Sequence, residues 1–154
     1  MCVPSPVTAA PTEAGVRSPL TLDVLAEPLS VLRFAADAEV PAWALHAGSF
    51  GTVTRTAHEL SVVCATARVP SASLPTDTVR EDGWRALEVV GPFAFTEVGV
   101  LLQVAAPLAA AGISILAMAT FDTDYVLVQE TRLGAAIAKL RSAGHIVRDT
   151  KADQ

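Results

Sequence analysis

Few of the residue types that usually carry chemistry are present. The 154-residue chain has two cysteines, Cys2 and Cys64, three histidines and one tyrosine. Two thiols this far apart make no disulfide framework, and Cys64, in an apolar stretch, reads as a small core residue. His46, His58 and His145 lack metal-ligand spacing among themselves or with the cysteines. Each therefore reads as a surface or turn residue, and no metal site is expected. Phosphate loops of the GxGxxG or GxxxxGK type are missing, as is a nucleophile paired with a base, so no enzyme and no cofactor is expected. Positive charge is scarce as well: 11 Lys and Arg against 16 Asp and Glu leave a net charge of −5. With no basic patch, the chain lacks the electrostatic footprint of a nucleic-acid or anionic-membrane binder. Apolar runs are long but interrupted. The longest, Val98 to Met118, is broken by Gln103, Pro107, Gly112 and Ser114, short of the roughly 18–20 residues a spanning helix needs. The opening MCVPSPVTAAPTEAGVRSP has no basic start followed by an apolar core, which excludes a secretory signal. It reads as a disordered tail over 1–18, with a second short tail at 151–154, on a cytoplasmic protein.

What is plentiful is apolar side chain. At 51% hydrophobic and 18% charged, the composition suits one compact unit or two very small ones. LTLDVL (20–25) and LSVLRF (29–34) read as strands, with Pro28 marking a turn or bulge between them. VPAWAL (40–45) fits a helical turn. SFGTVTRT (49–56) and LSVVC (60–64) read as a hairpin, followed by a Pro/Ser/Thr-rich loop over 65–80 and a strand WRALEVVG (84–91). From Thr96 to Ala111, Val98, Leu101, Leu102, Ala105, Leu108 and Ala109 recur at the spacing of one helix face. Thr96 is the expected N-cap, Gly112 the C′ stop and Pro107 a local break in hydrogen bonding. ISILAMAT (113–120) and DYVLVQE (124–130) read as adjacent strands. A helix capped by Thr131 then buries Leu133, Ala136, Ile137 and Leu140, stops at Gly144, and is followed by HIVRDT (145–150).

Strand, helix, strand, strand, helix, strand is the ferredoxin-like βαββαβ order, with helices on one face of an antiparallel sheet. The first half reads as a degenerate copy. The expected fold is α+β, two such units in tandem, over 19–82 and 83–150. Aligning TRTAHELSVV (54–63) with ATFDTDYVLV (119–128) sets Glu59 against Asp124 and Val63 against Val128.

GWRALEVVGPFAFTEVGVL (83–101), PLAAAGISILAMATFDTDYVLV (107–128) and LRSAGHIV (140–147), with SFGTVTRTAHELSVVC (49–64), resemble a bacterial family of tandem ACT-domain proteins. That family is related to the regulatory ACT domains of aspartate kinases and to the CASTOR-type arginine sensors of animals. The resemblance implies an amino-acid-binding regulatory module whose ligand lies at the interface between ACT domains. It assigns ligand contacts to Ala94, Phe95, Glu97, Val98 and Gly99 ahead of the first helix, and to Thr120, Phe121 and Asp124 in the hairpin. Ser114 and Ile115 are added on the strand facing a partner domain. Two units per chain imply a homodimer. The chemistry of the residues agrees: a helix N-terminus suits a carboxylate, and Glu97 and Asp124 suit an ammonium or a basic side chain such as that of arginine or lysine. Phe121 suits an aliphatic or guanidinium stem. A plainer reading stays open, in which Asp122-Thr123-Asp124 is an ordinary polar turn and Glu97 only complements the helix dipole. The protein would then be an interaction subunit that uses ACT pairing without a ligand.

Overall fold

The computed structural model describes residues 18–46 and 48–149; apart from Ser18, the two expected tails lie outside them. Among the described residues one sheet contains β1 (Thr21–Val24), β2 (Leu29–Phe34), β3 (Thr52–Arg55), β4 (Leu60–Ala65), β5 (Val79–Val89), β6 (Leu116–Ala119), β7 (Asp124–Gln129) and β8 (Ile146–Asp149). Helices α1 (Val100–Ala110) and α2 (Glu130–Ser142) complete the second half. In the first half, 3-10 turns at Ala42–Leu45 and Thr66–Arg68 stand where a full unit has helices.

The long strand β5 organises both halves. Its start pairs with β2 (Val79 with Arg33, Trp84 with Leu29), while its end pairs with β1 (Leu87 with Val24, Val89 with Leu22). Trp84 and Leu87 also pair with Gln129 and Val126 of β7. Because a strand has two edges, β1 and β2 must follow one another along one edge, with β7 on the other. The first half therefore runs β3-β4-β2-β5, all antiparallel, and the second runs β6-β7-β5-β1-β8. Two ferredoxin-like units in tandem share the strand at their seam. One detail departs from a simple unit: β1 inserts between β5 and β8, antiparallel to the first and parallel to the second. The register slips between Leu29 and Val31, just beyond Pro28, as expected of a bulge near that proline.

α1 and α2 bury one face against the sheet. Val100, Val104 and Leu108 of α1 meet Ala136 and Leu140 of α2 over Leu22, Leu87, Val89, Val126 and Val147, with Leu133 and Ile137 packed at the margin. Burying each such aliphatic side chain is worth about 1.5–3 kcal/mol. The helix-free face carries a second core of Leu29, Val63, Trp84, Ala86 and Leu127, closed by Phe50. A third cluster holds the first half together: Leu32, Phe34, Leu60, Val62 and Cys64 under the Ala42–Leu45 turn.

Both helices end as expected. Gly112 (φ 66°) and Gly144 (φ 93°) take the left-handed conformation. The N–H of Ile113 returns to the Leu108 carbonyl at 3.0 Å, and that of His145 to the Leu140 carbonyl at 3.0 Å, completing two Schellman stops. The helix starts differ from the expectation. α1 begins at Val100, four residues after Thr96, because residues 94–97 form a turn of their own, with Glu97 N–H donating to Ala94 O at 2.9 Å. Gly99 takes the N-cap position at φ 79°. Thr131 is likewise inside α2, which starts at Glu130 with no side-chain cap.

His145 is not a surface residue. It is buried, and its two ring nitrogens tie distant segments together: Nδ1 accepts from Leu20 N–H at 3.2 Å, and Nε2 lies 3.1 Å from the Gln103 carbonyl. Since Nδ1 accepts, Nε2 must carry the proton and donate. Gln103 is four residues before Pro107, so its carbonyl is the one that proline leaves without an intrahelical donor. His145 fills that gap.

Two carboxylates pin irregular segments. Glu27 accepts from the N–H (2.7 Å) and hydroxyl (2.5 Å) of Ser49, bonds that hold its carboxyl below the usual range. Asp82 is held down first by Arg80 at 2.7 Å and then by the Ser30 hydroxyl at 2.5 Å. A carboxyl whose folded pKa is depressed stabilises the fold above its unfolded pKa of about 4 and loses that contribution as pH falls through the folded value. The thermal midpoint should therefore drop as pH is lowered from about 5 towards 3. In an E27Q/D82N variant the midpoint should be lower at neutral pH and the acid-limb slope shallower; an unchanged slope sinks the assignment.

Candidate functional site

Where β5 ends at Val89, the 90–99 segment crosses towards α1 and meets the β6–β7 hairpin. Two bonds join them: Phe93 N–H donates to Asp122 O at 2.8 Å, and the buried Thr123 hydroxyl donates to Val89 O. Gly91 permits the approach, since a Cβ there would lie 2.8 Å from the Asp122 carbonyl oxygen. In the hairpin turn the N–H and hydroxyl of Thr120 both donate to Thr123 O, at 2.8 and 2.9 Å. The two hydroxyls in this stretch thus hold the turn and dock it on β5. The carboxylates of Asp122 and Asp124 remain outside those bonds.

Between the two segments lies a cleft of about 290 Å³. Ala94, Phe95, Glu97, Gly99, Thr120, Phe121 and Asp124 line it, as the sequence reading expects of its site residues. The remaining three are elsewhere. Val98 faces an adjacent hollow with Pro19, Leu20 and Gln103. Ser114 is exposed on the lead-in to β6, and Ile115 packs against the helix-covered core. Sequence reasoning missed Phe93, Val100, Leu101, Ala119, Asp122 and Thr123 in the lining. Most are immediate neighbours of chosen residues, so treating the two segments as continuous walls is the signal that finds them.

The chemistry of the cleft is divided. At one end, Gly99, Val100 and Leu101 present the first turn of α1, which has no acidic residue and no side-chain cap. The first-turn N–H groups of a helix have no partner within it and carry its partial positive charge. Glu97 stands ahead of that turn rather than inside it, so the plainer reading of Glu97 as a first-turn dipole partner does not hold. Glu97, Asp122 and Asp124 add negative charge around the same cleft. Phe95 and Phe121 meet edge to face at its mouth, ring centroids 4.9 Å apart, and are 79% and 78% exposed.

The two halves repeat this hairpin, one residue away from the alignment drawn on sequence alone. Thr52 pairs with Val63 and Arg55 with Leu60; Leu116 pairs with Leu127 and Ala119 with Asp124. Each pair in the second hairpin lies 64 positions after its counterpart. The turn bonds agree: Thr56 N–H donates to Glu59 O at 2.9 Å, as Thr120 N–H does to Thr123 O. Glu59 therefore corresponds to Thr123, and the counterpart of Asp124 is the buried Leu60.

The comparisons with known proteins converge on one family. A model described as an ACT domain matches residues 79–142, and a second model, of an N-terminal domain, matches residues 27–72. The "Cytosolic arginine sensor for mTORC1 subunit 1" of Homo sapiens, like that of Bos taurus, is 42% identical over 59 residues, which is 38% of this chain and 18% of the sensor. The match thus spans under a fifth of those relatives. Among solved structures, a protein from Agobacterium tumefaciens is 36% identical with a TM-score of 0.77, covering 86% of this chain and 95% of that one. Aspartate kinase of Clostridium acetobutylicum, 12% identical over 79% of this chain and 34% of its own at a TM-score of 0.60, shares the fold. A full-length relative at that identity, together with an ACT match over the shared strand, the cleft and both helices, identifies the chain as a member of the ACT-domain family.

Proposed function

We propose that this protein is a regulatory sensor that binds a free amino acid in the cleft between the 93–101 segment and the β6–β7 hairpin. One observation carries the reading: an uncapped helix N-terminus and the carboxylates of Glu97 and Asp124 line the same cleft. An amino acid presents both signs of charge a short distance apart. Its carboxylate suits the free N–H groups of α1. Its ammonium, or a basic side chain, suits Glu97 and Asp124. The acids, and the arginine sensors among the relatives, favour a basic ligand such as arginine or lysine. Phe95 and Phe121 would cover its stem. Exposed Val98 and Leu102 continue the apolar surface beside the mouth. A second copy of the chain set against that surface would close the cleft as a homodimer, and Val98, Ser114 and Ile115 would contribute only from such an interface. The reading is non-catalytic: binding alters contacts with another protein, which remains in the cytoplasm with it. An ACT-paired structural subunit with an empty cleft is the alternative.

A thermal-shift screen against the twenty amino acids at millimolar concentration tests this. At 100 times its dissociation constant a ligand adds about 2.7 kcal/mol, which for a chain of this size raises the midpoint by about 5–10 °C. The shift should vanish in Asp124→Ala. No response to any of the twenty would favour the structural subunit.

A further inference from the structure

Among the differences between the two hairpins, one changes what fills the space beside the turn. Arg55 stands where Ala119 stands in the second half, at the last ladder pair before the turn. Ala119 lines the open cleft. Arg55 instead reaches across to the segment leaving β2, where its guanidinium donates to the carbonyls of Ala36 and Ala38, the latter at 2.7 Å. That segment is the counterpart of 90–99, because β2 precedes it in the first unit as β5 precedes 90–99 in the second. A turn closed by Ala38 N–H on Ala35 O at 3.1 Å holds the carbonyls in place. Two carbonyls on one side of a chain match the planar fork of a guanidinium better than the point charge of an ammonium.

We propose that the first half carries a guanidinium-receiving site, and that Arg55 fills it as an internal ligand. In the parent protein, then, Arg55 occupies the first-half site while the second-half cleft stays open. Removing the Arg55 side chain vacates a second site, whose ligand class is an alkylguanidinium. This inference does not rest on amino-acid binding at the open cleft.

The test is chemical rescue of the full-length Arg55→Ala variant with N-ethylguanidinium, which supplies the atoms the substitution removes. Ethylammonium and sodium chloride at equal ionic strength are the comparisons. N-ethylguanidinium should raise the variant's thermal midpoint, by about 3 °C at ten times its dissociation constant, and move the backbone amide resonances of residues 36–39. Neither comparison salt should do so, and the parent should show no such rise. A folded variant that gains nothing specific from the guanidinium overturns the proposal; so does a parent that gains as much. Arg55→Gln, which keeps a polar side chain at this exposed position, undergoes the same comparison if the alanine variant does not fold.

Discussion

Ala119→Arg is expected to abolish ligand binding at the cleft while leaving the fold intact or more stable. The register fixes where the new side chain starts. Ala119 pairs with Asp124, and cross-strand neighbours of opposite charge contribute roughly 0.2–1 kcal/mol. Arg55, at the corresponding position, shows the reach of an arginine from here: it spans to the carbonyls of the segment leaving the preceding strand. An arginine at 119 would cross the cleft towards the Phe93–Phe95 backbone and engage Asp124, competing with the ligand for both space and charge. A loss of at least 100-fold in affinity follows, equivalent to about 2.7 kcal/mol. Calorimetric titration with the amino acid found in the screen measures it. Affinity within threefold of the parent, in a variant with an unchanged fold, would mean that the ligand does not bind between these two segments. Ala119→Gln is the control for bulk, since it extends the side chain without the charge.

How much of this was legible in the sequence depends on how local each feature is. Period-two and helical patterns located β6, β7 and α2, and the two glycine stops, because each is written in a few adjacent residues. The first half of β5, VREDG, carries no apolar alternation; it is a strand only because β2 lies beside it. The place of β1 between β5 and β8 is a fact of pairing, which no pattern within Thr21–Val24 records. At the start of α1, the Thr96 signal lost to a turn at 94–97 and to Gly99. His145 follows the Gly144 stop as a turn residue would, and its burial makes sense only once Pro107 is seen to leave the Gln103 carbonyl open.

The cleft was legible for a similar reason. Its walls are two continuous stretches, 93–101 and 119–124, so a reading of short segments captured seven of the ten residues it named. Ser114 and Ile115 lie outside the cleft because their direction depends on the turn that follows α1. The bond between Arg55 and two backbone carbonyls left no trace, since a carbonyl belongs to every residue type.

Gly91→Ala is expected to weaken both the fold and the cleft. The added Cβ would lie 2.8 Å from the Asp122 carbonyl oxygen and 3.2 Å from Phe93 N, both backbone atoms. A side chain could swing aside, but backbone must shift as a segment, and the same Asp122 carbonyl accepts the Phe93 bond that joins the two walls. Relieving the clash therefore strains or breaks that bond and pulls Thr123 from Val89. Overpacking of this kind costs about 1–3 kcal/mol, or roughly 3–10 °C in midpoint, and parted walls should lose at least tenfold in ligand affinity. Gly134→Ala provides the contrast. It lies in α2, where an added Cβ meets nothing within 4 Å, so it should gain about 0.5–1 kcal/mol from helix propensity and leave binding unchanged. Calorimetric melting and titration of the two variants side by side distinguish a steric junction from a general intolerance of alanine. If Gly91→Ala melts with the parent and binds as well, the joint between the 90–99 segment and the hairpin is not what shapes the cleft.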